Sequence, residues 1–531
     1  MLGHSSITIT ADMYTSLLPE ADLAIAEAVA RLVPRARVTS ETTAPEGSES
    51  MVACTKRPWT RHNGVMGLSL PEPRGHQRDV VFLNERGHCV VLGTAGSGKT
   101  TMAVHRAHYL ATVPGIGGRT LLVTFNKALV TYLRGMGTAP PNLQIETYHT
   151  FARGYLAHRT KAPVRICKSK KQMVEWALVE ARQRHHSRAV IHRPLDFFLD
   201  ELHWMVGHGI VDQQTYVESR TRRVGRGRPL QQPDRDVVFE VYQRYVQLRA
   251  EAGYAYDFDN MASTVLAVLE VDPTKRLYRH VVVDEGQDFT PEMIRSLAAA
   301  IPDDGSLTFF GDYAQQIYGS RMSWRSLGLH VSNVVEFAHN YRNSRQVAQL
   351  AQGISDMPHF KDDVDLVQPT GSAADGPKPT ILETASTDEQ LVQAARNALA
   401  LGADRQVAIL MRTRDHEGKL RSLLDRGRVS VRRLHRDLAC WTDEPGVFYG
   451  TYSAAKGFEF DSVILPFCDA DELPKPSEVE AHGLEEAKAR EARQLYVAIT
   501  RARTDLIVLH SSKLTDLLPH EMSDLYVRVG L

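Results

Sequence analysis

Cysteine is scarce in this chain. Five occur in 531 residues (Cys54, Cys89, Cys167, Cys440 and Cys468), and no two stand two to four residues apart. That excludes a zinc ribbon or a redox dithiol, and so few thiols in so long a chain suit a reducing, cytoplasmic setting. No apolar run approaches the roughly 18 residues of a membrane span, so no membrane association is expected. The N-terminus lacks a basic leader, and Asp12 interrupts its apolar stretch, so it does not read as a signal peptide. An excess of charge is missing too. Sixty-three basic residues balance 63 acidic ones, which excludes a chromatin-type polycation but leaves a local basic face open. What is present, 43% hydrophobic and 24% charged residues, is ordinary globular composition. The length suits roughly two to four domains.

Residues 1–36 read as a turn and a helix, and 37–75, rich in Ser, Thr, Pro, Gly and charge, as a linker. From about 76, short apolar β-branched runs alternate with helical segments. The runs are HCVVLG (88–93), TLLVTF (120–125), HVVVDE (280–285), SLTFFGD (306–312), QVAILM (406–411), GVFYGTY (446–452), DSVILPF (461–467) and DLIVLH (505–510). Buried strands alternating with helices predict an α/β fold of doubly wound parallel sheets. The spacing of Leu391, Ala395 and Leu399 predicts a helix packed on one of them. Residues 153–253 interrupt the alternation with a mostly helical pattern, and 367–380 read as a loop.

The sharpest signal is GTAGSGKT: Gly93, Thr94, Ala95, Gly96, Ser97, Gly98, Lys99 and Thr100, with Thr101 following. It succeeds an apolar strand and opens a helix, as a P-loop must. Its glycines let backbone N–H groups curl around phosphates, and the helix N-terminus adds a favourable dipole. Lys99 is expected to reach the β- and γ-phosphates of a nucleotide, and Thr100 to ligate Mg²⁺. The second signal is VVVDEGQD. Asp284 and Glu285 end a buried strand, where side chains project past the carboxyl edge of a parallel sheet. Asp284 suits the Mg²⁺ ion and Glu285 the general base for an attacking water.

Together these residues resemble the UvrD/Rep/PcrA-like family of superfamily 1 DNA helicases, from about Gln77 to Ala502, with eight boxes in order. Gln77 stands sixteen residues before Gly93, where that family reads adenine. TFNKAL (124–129), TYHTFA (147–152), DEGQD (284–288), GDYAQQIY (311–318), NYRNS (340–344), TYSAAKGFEFD (451–461) and LYVAITRAR (495–503) resemble the later boxes. The resemblance implies two RecA-like P-loop domains with a helical insertion in the first. It implies Gln315 as γ-phosphate sensor, Tyr341 stacked on adenine and Glu459 on the ribose. Independently, the γ-phosphoryl charge needs cationic help, and Arg342 and Arg501, far along the chain, suit fingers from a second domain. Nucleotide would then sit in an interdomain cleft that hydrolysis loosens.

Three places depart from the family pattern. Ser453 stands where the family has a histidine, Phe125 is out of register with an expected aromatic, and Trp324 lies six residues past Tyr318 rather than two. Trp324 reads equally as a base-stacking side chain or as a core or hinge residue. Only 108 residues separate Arg342 from Thr451, room for a second sheet but not for the family's large second accessory domain.

Charge is segregated within the insertion. Residues 153–228 hold 16 Lys/Arg and 7 Asp/Glu, 16 − 7 = +9, with runs KSKKQ (168–172) and RTRRVGRGR (220–228). That suits sequence-independent contact with a phosphate track. A different resemblance marks LGHSSITITADMYTSLLPE (2–20): the last catalytic box of tyrosine recombinases, with Tyr14 as nucleophile and His4 as helper. Such chemistry needs arginines from earlier boxes, and the segment reads as a remnant.

The domain expectation is therefore 1–36 remnant, 37–75 linker, 76–152 with 254–330 first ATPase domain, 153–253 helical insertion, and 331–531 second domain. The expected activity is an ATP- and Mg²⁺-dependent motor on single-stranded or forked DNA, moving 3′→5′ by resemblance. Two alternatives stand beside it: a DNA-stimulated ATPase switch in a repair or phage-defence complex, with a protein partner such as a nuclease, and strand transfer by Tyr14.

Overall fold

The computed structural model describes residues 73, 76–94, 96–125, 130, 139–217, 230–312, 324–337, 339–340, 343–359, 370–372, 374–434, 444–520 and 523–530. The recombinase-like segment, nearly all of the linker, the 220–228 run, Ala95, Gln315, Tyr341 and Arg342 lie outside the described residues.

Six strands build the first sheet: β1 (Gly87–Gly93), β2 (Thr120–Thr124), β3 (Leu143–Thr147), β4 (His280–Val283), β5 (Ser306–Gly311) and β6 (Val331–Phe337). All pair in parallel, in the order β3-β2-β4-β5-β1-β6. β2, β4 and β5 are buried along their whole length, which is why they read as largely apolar runs. Helices cover both faces. Lys99–Thr112 packs Met102, Ala103, Ala107 and Leu110 against one face. Tyr148–Thr160, Met261–Val271 and Pro291–Ala299 cover the other. The first and last of these begin at Thr147 and Thr290, whose side chains accept a backbone N–H of the first turn.

A two-stranded pairing of β7 (His339–Asn340) with β8 (Thr370–Ser372) precedes the second sheet. That sheet comprises β9 (Thr380–Glu383), β10 (Gln406–Met411), β11 (Val431–Arg433), β12 (Gly446–Thr451), β13 (Phe460–Leu465), β14 (Ala502–His510) and β15 (Val527–Gly530). It too is parallel, in the order β11-β12-β10-β13-β14-β9-β15. The helix predicted around Leu391 spans Thr387–Leu401, capped by Ser386 and packed through Leu391, Ala394, Ala395 and Ala398.

The structure corrects three boundaries. The sequence pattern places 331–337 with the second domain, but β6 pairs with β1 and so belongs to the first sheet. As an edge strand with polar residues interleaved, VSNVVEF lacks the continuous apolar run of its neighbours. Position 153 falls inside the helix Tyr148–Thr160, whose Phe151, Tyr155 and Leu156 join the first sheet's core. The insertion's own core begins at Cys167, where a bridge between Ile166 and Tyr256 closes its neck. The stretch 367–380 is not all loop, since it holds β8 and opens β9.

Candidate active site

The carboxyl ends of β1, β4 and β5 lie side by side, and each delivers a box to the same place. After β1, Gly96 and Gly98 adopt φ of 80° and 84°, a left-handed backbone that favours glycine. Gly98 is the N-cap of the following helix, and a Cβ there would meet Gln77 Nε2 at 3.2 Å. Gln77 is thereby placed against the P-loop it was expected to serve. Ser97 Oγ donates to Thr94 O at 2.9 Å and pins the loop's curl. Lys99 Nζ donates to the carbonyls of Gly93 (2.8 Å) and Thr94 (2.5 Å) and pairs with Asp312 at 3.4 Å. Thr101, the third residue of the helix, is buried.

After β4, Asp284 is 1% exposed. Its Oδ1 accepts from Thr100 Oγ1 at 3.4 Å, while Oδ2 is buried with no hydrogen-bond partner among the described residues. Burial, and then the adjacent Glu285 carboxylate, push the Asp284 carboxyl up to about 7. An uncompensated carboxylate oxygen beside a threonine hydroxyl suits a hard divalent cation. Glu285 behaves differently. Burial raises it, but Lys456, Lys99 and Arg501 outweigh that and hold it below the usual carboxylate range. Its φ of 54° is the left-handed region, costing about 1–2 kcal/mol for a side chain with a Cβ. The turn is held from three sides. Gln287 Nε2 donates to Glu285 Oε2 at 2.5 Å, Gln287 Oε1 accepts the Asp312 N–H at 2.9 Å, and Gly286 lies so near Phe309 that a Cβ would fall 2.2 Å from its ring.

The second sheet supplies the facing wall. Arg501, 2% exposed, is aimed by Val497 O (3.0 Å), Phe458 O (3.4 Å) and Thr500 Oγ1 (3.3 Å), and its charge is felt by Glu285 across the cleft. Asn343, next to Arg342 in sequence, donates to the carbonyls of Thr500 and Ala502 on either side of Arg501. The segments carrying the two expected arginine fingers are therefore tied together. Glu459 is buried and paired with Arg503 at 3.2 Å, within its own domain. Asp288, Asp312, Asn343 and Lys456 were not singled out from the sequence, although each lies inside a box quoted above; their distance along the chain from their partners hid them.

Elsewhere, Trp324 is half-buried, meeting Phe309 edge-on at 5.1 Å and packing on the first core. Phe125, His149 and Phe258 form a row of edge-on rings at 5.6 and 5.2 Å, ending in a Phe258 that is 44% exposed. In the insertion, Lys168 and Lys171 are exposed, but Lys170 turns inward to Asp259.

Two family models match this sequence: the UvrD/REP helicase N-terminal domain over residues 74–336 and the UvrD-like helicase C-terminal domain over 432–513. The chain belongs to the UvrD/Rep helicase family. Among its relatives is ATP-dependent DNA helicase UvrD2 of Mycobacterium tuberculosis, 27% identical over 371 residues, covering 63% of this chain and 51% of the relative. ATP-dependent DNA helicase UvrD1 of the same organism is 25% identical over 298 residues, 51% of this chain and 36% of that one. Human TPR and ankyrin repeat-containing protein 1 is 26% identical over 371 residues, 58% of this chain and 12% of that one. This UvrD-type chain thus spans about half the length of UvrD2. Among its described residues no helix is long and apolar enough to cross a membrane.

Proposed function

We propose that this UvrD-type chain hydrolyses ATP to drive movement along single-stranded DNA, 3′→5′ as the family resemblance implies. The observation that carries the reading is the meeting of the second domain with the Glu285 turn, where Lys456 donates to Asp288 and the Arg501 charge helps to lower the Glu285 carboxyl. Gln77 would read adenine; residues 93–101 would hold the phosphates, with Tyr341 on the base and Glu459 on the ribose side. Glu285, kept ionised by its three cationic neighbours, would orient the attacking water and take its proton. Lys99, Arg342 and Arg501 would carry the charge that builds on the γ-phosphoryl oxygens, and Gln315 would sense its presence. Thr100 and Asp284 would hold Mg²⁺, which when bound neutralises charge on the β- and γ-phosphate oxygens.

Loss of the γ-phosphate removes the anion that Arg501 and Lys99 share. The two sheets then lose a common ligand, and the cleft opens. The ring row ending at Phe258 offers a stacking platform, and the exposed lysines of the insertion a phosphate track. The short span between Arg342 and Thr451 favours a second reading, in which the chain translocates or switches but needs a partner, such as a nuclease complex, to displace a strand.

ATP turnover measured with and without single-stranded DNA, alongside displacement of a labelled forked duplex with either 3′ or 5′ tails, separates these. DNA-stimulated turnover with displacement from a 3′ tail is expected. Stimulation without displacement selects the second reading, and turnover indifferent to DNA overturns both.

A further inference from the structure

Lys456 stands between β12 and β13 in the second sheet, yet its ammonium crosses to the first domain. It donates to Asp288 Oδ1 at 2.5 Å, and the two side chains are 8% and 7% exposed. Asp288 closes the one-turn 3₁₀ segment Gly286–Asp288, directly behind Glu285. The same turn is tied to the P-loop side through Gln287 and Asp312, and Asp312 pairs with Lys99. A charge-assisted bond from the second domain therefore ends on the one turn that sets where Glu285 points.

Removing two full charges from water is unfavourable, and their attraction compensates only when the geometry holds. Such a pair adds little to stability against an apolar substitute, but losing one partner strands the other as an uncompensated buried charge. Both groups lie buried at a contact between the two domains. Once the sheets part, each can regain water. The bond is thus conditional on closure.

We propose that Lys456 and Asp288 form a closure clamp: they are positioning residues that bring Glu285 and Arg501 into working register without touching nucleotide. This rests on the ATP-hydrolysing reading above. It gives the second domain a means of acting on the base itself, separate from the arginine fingers that act on phosphate.

The test uses the full chain and the variants Lys456→Met, Asp288→Asn and the double variant, each checked for its melting temperature. ATPase kcat is measured with saturating oligo-dT, and nucleotide affinity with a fluorescent ATP analogue. Each single variant should lower kcat by about 10–100-fold, the scale of a 1 Å misplacement, while affinity stays within about twofold. Asp288→Asn leaves a buried ammonium without its carboxylate, so the double variant should recover part of its loss. Losses that multiply in the double variant would overturn the clamp, as would an unchanged kcat in either single variant. So would affinity falling in step with kcat, which marks direct phosphate contact. If Lys456→Met fails to fold, the comparison of Asp288→Asn with the double variant decides by the same criterion. A wild-type chain without ATPase overturns the nucleotide reading, and the clamp with it.

Discussion

Three lysines sit together in KSKKQ, and the structure predicts that they answer to mutation in two different ways. Lys168 and Lys171 are exposed at the start of the helix Lys170–Arg184. Lys170 is spent internally. It pairs with Asp259, which also meets His203 Nδ1 at 3.0 Å, and lies 5.7 Å from the Tyr245 ring. Burial alone would raise the Asp259 carboxyl; Lys170 and His203 outweigh it and hold it well below the usual range. If the exposed pair follows a single strand, each contact contributes about 0.7 to the salt slope, so Lys168→Ala/Lys171→Ala should flatten log K against log salt by about 1.4. Between about 50 and 200 mM salt the wild type should then lose about sevenfold more affinity than the variant. Lys170→Ala should leave the slope alone and instead destabilise the insertion by about 1–3 kcal/mol, less than for a fully buried pair because both side chains keep some contact with water. Fluorescence anisotropy of labelled oligo-dT across a salt series, with melting curves, reads both. An unchanged slope in the double variant, or a slope in Lys170→Ala that falls like the others, refutes the reasoning.

Lys99→Ala should abolish turnover and weaken ATP binding by about 1.5–3 kcal/mol, the scale of one charge-assisted contact, as titration calorimetry would read. Glu285→Gln should bind ATP with near-wild-type affinity and hydrolyse it about 10²–10⁴-fold more slowly in single-turnover assays, since the amide cannot take a proton. Asp284 is raised to about 7 in the fold against an ordinary carboxyl value when unfolded. Between those values the folded chain binds the extra proton, so without metal its stability should fall as pH rises from about 4 to 7. Asp284→Asn should remove that fall, making the variant the more stable one at pH 7–8 in EDTA; parallel melting curves for the two proteins would contradict the assignment.

All eight apolar runs of the sequence are parallel strands, whose largely buried centres leave few polar residues to mask the pattern. The strands that escaped notice had weaker signals. β3 alternates Leu, Ile and Thr with Gln144 and Glu146, β9 is four residues long, and β6 is a polar-interleaved edge. The phosphate-side residues were legible because a P-loop and a strand-end carboxylate pair are local patterns. The facing side was legible only in part. Arg501 could be argued from the chemistry it must serve, but nothing in local spacing says that Lys456 meets Asp288, 168 residues earlier. The charge balance of 153–228 likewise says nothing of Lys170's pairing, because its partner Asp259 lies 89 residues on, beyond that stretch.

In the proposed function one nucleotide site is assembled from two domains, with Arg501 acting across the cleft. The most direct measurement is single-turnover ATP hydrolysis by Arg501→Ala at saturating ATP and oligo-dT, with binding of a fluorescent ATP analogue measured on the same preparation. Nucleotide should still bind, held by residues 93–101 of the first domain, while hydrolysis slows by about 10³-fold or more, the scale of a missing arginine finger. Hydrolysis at the wild-type rate would contradict the account, because Arg501 would then contribute nothing to the reacting phosphate.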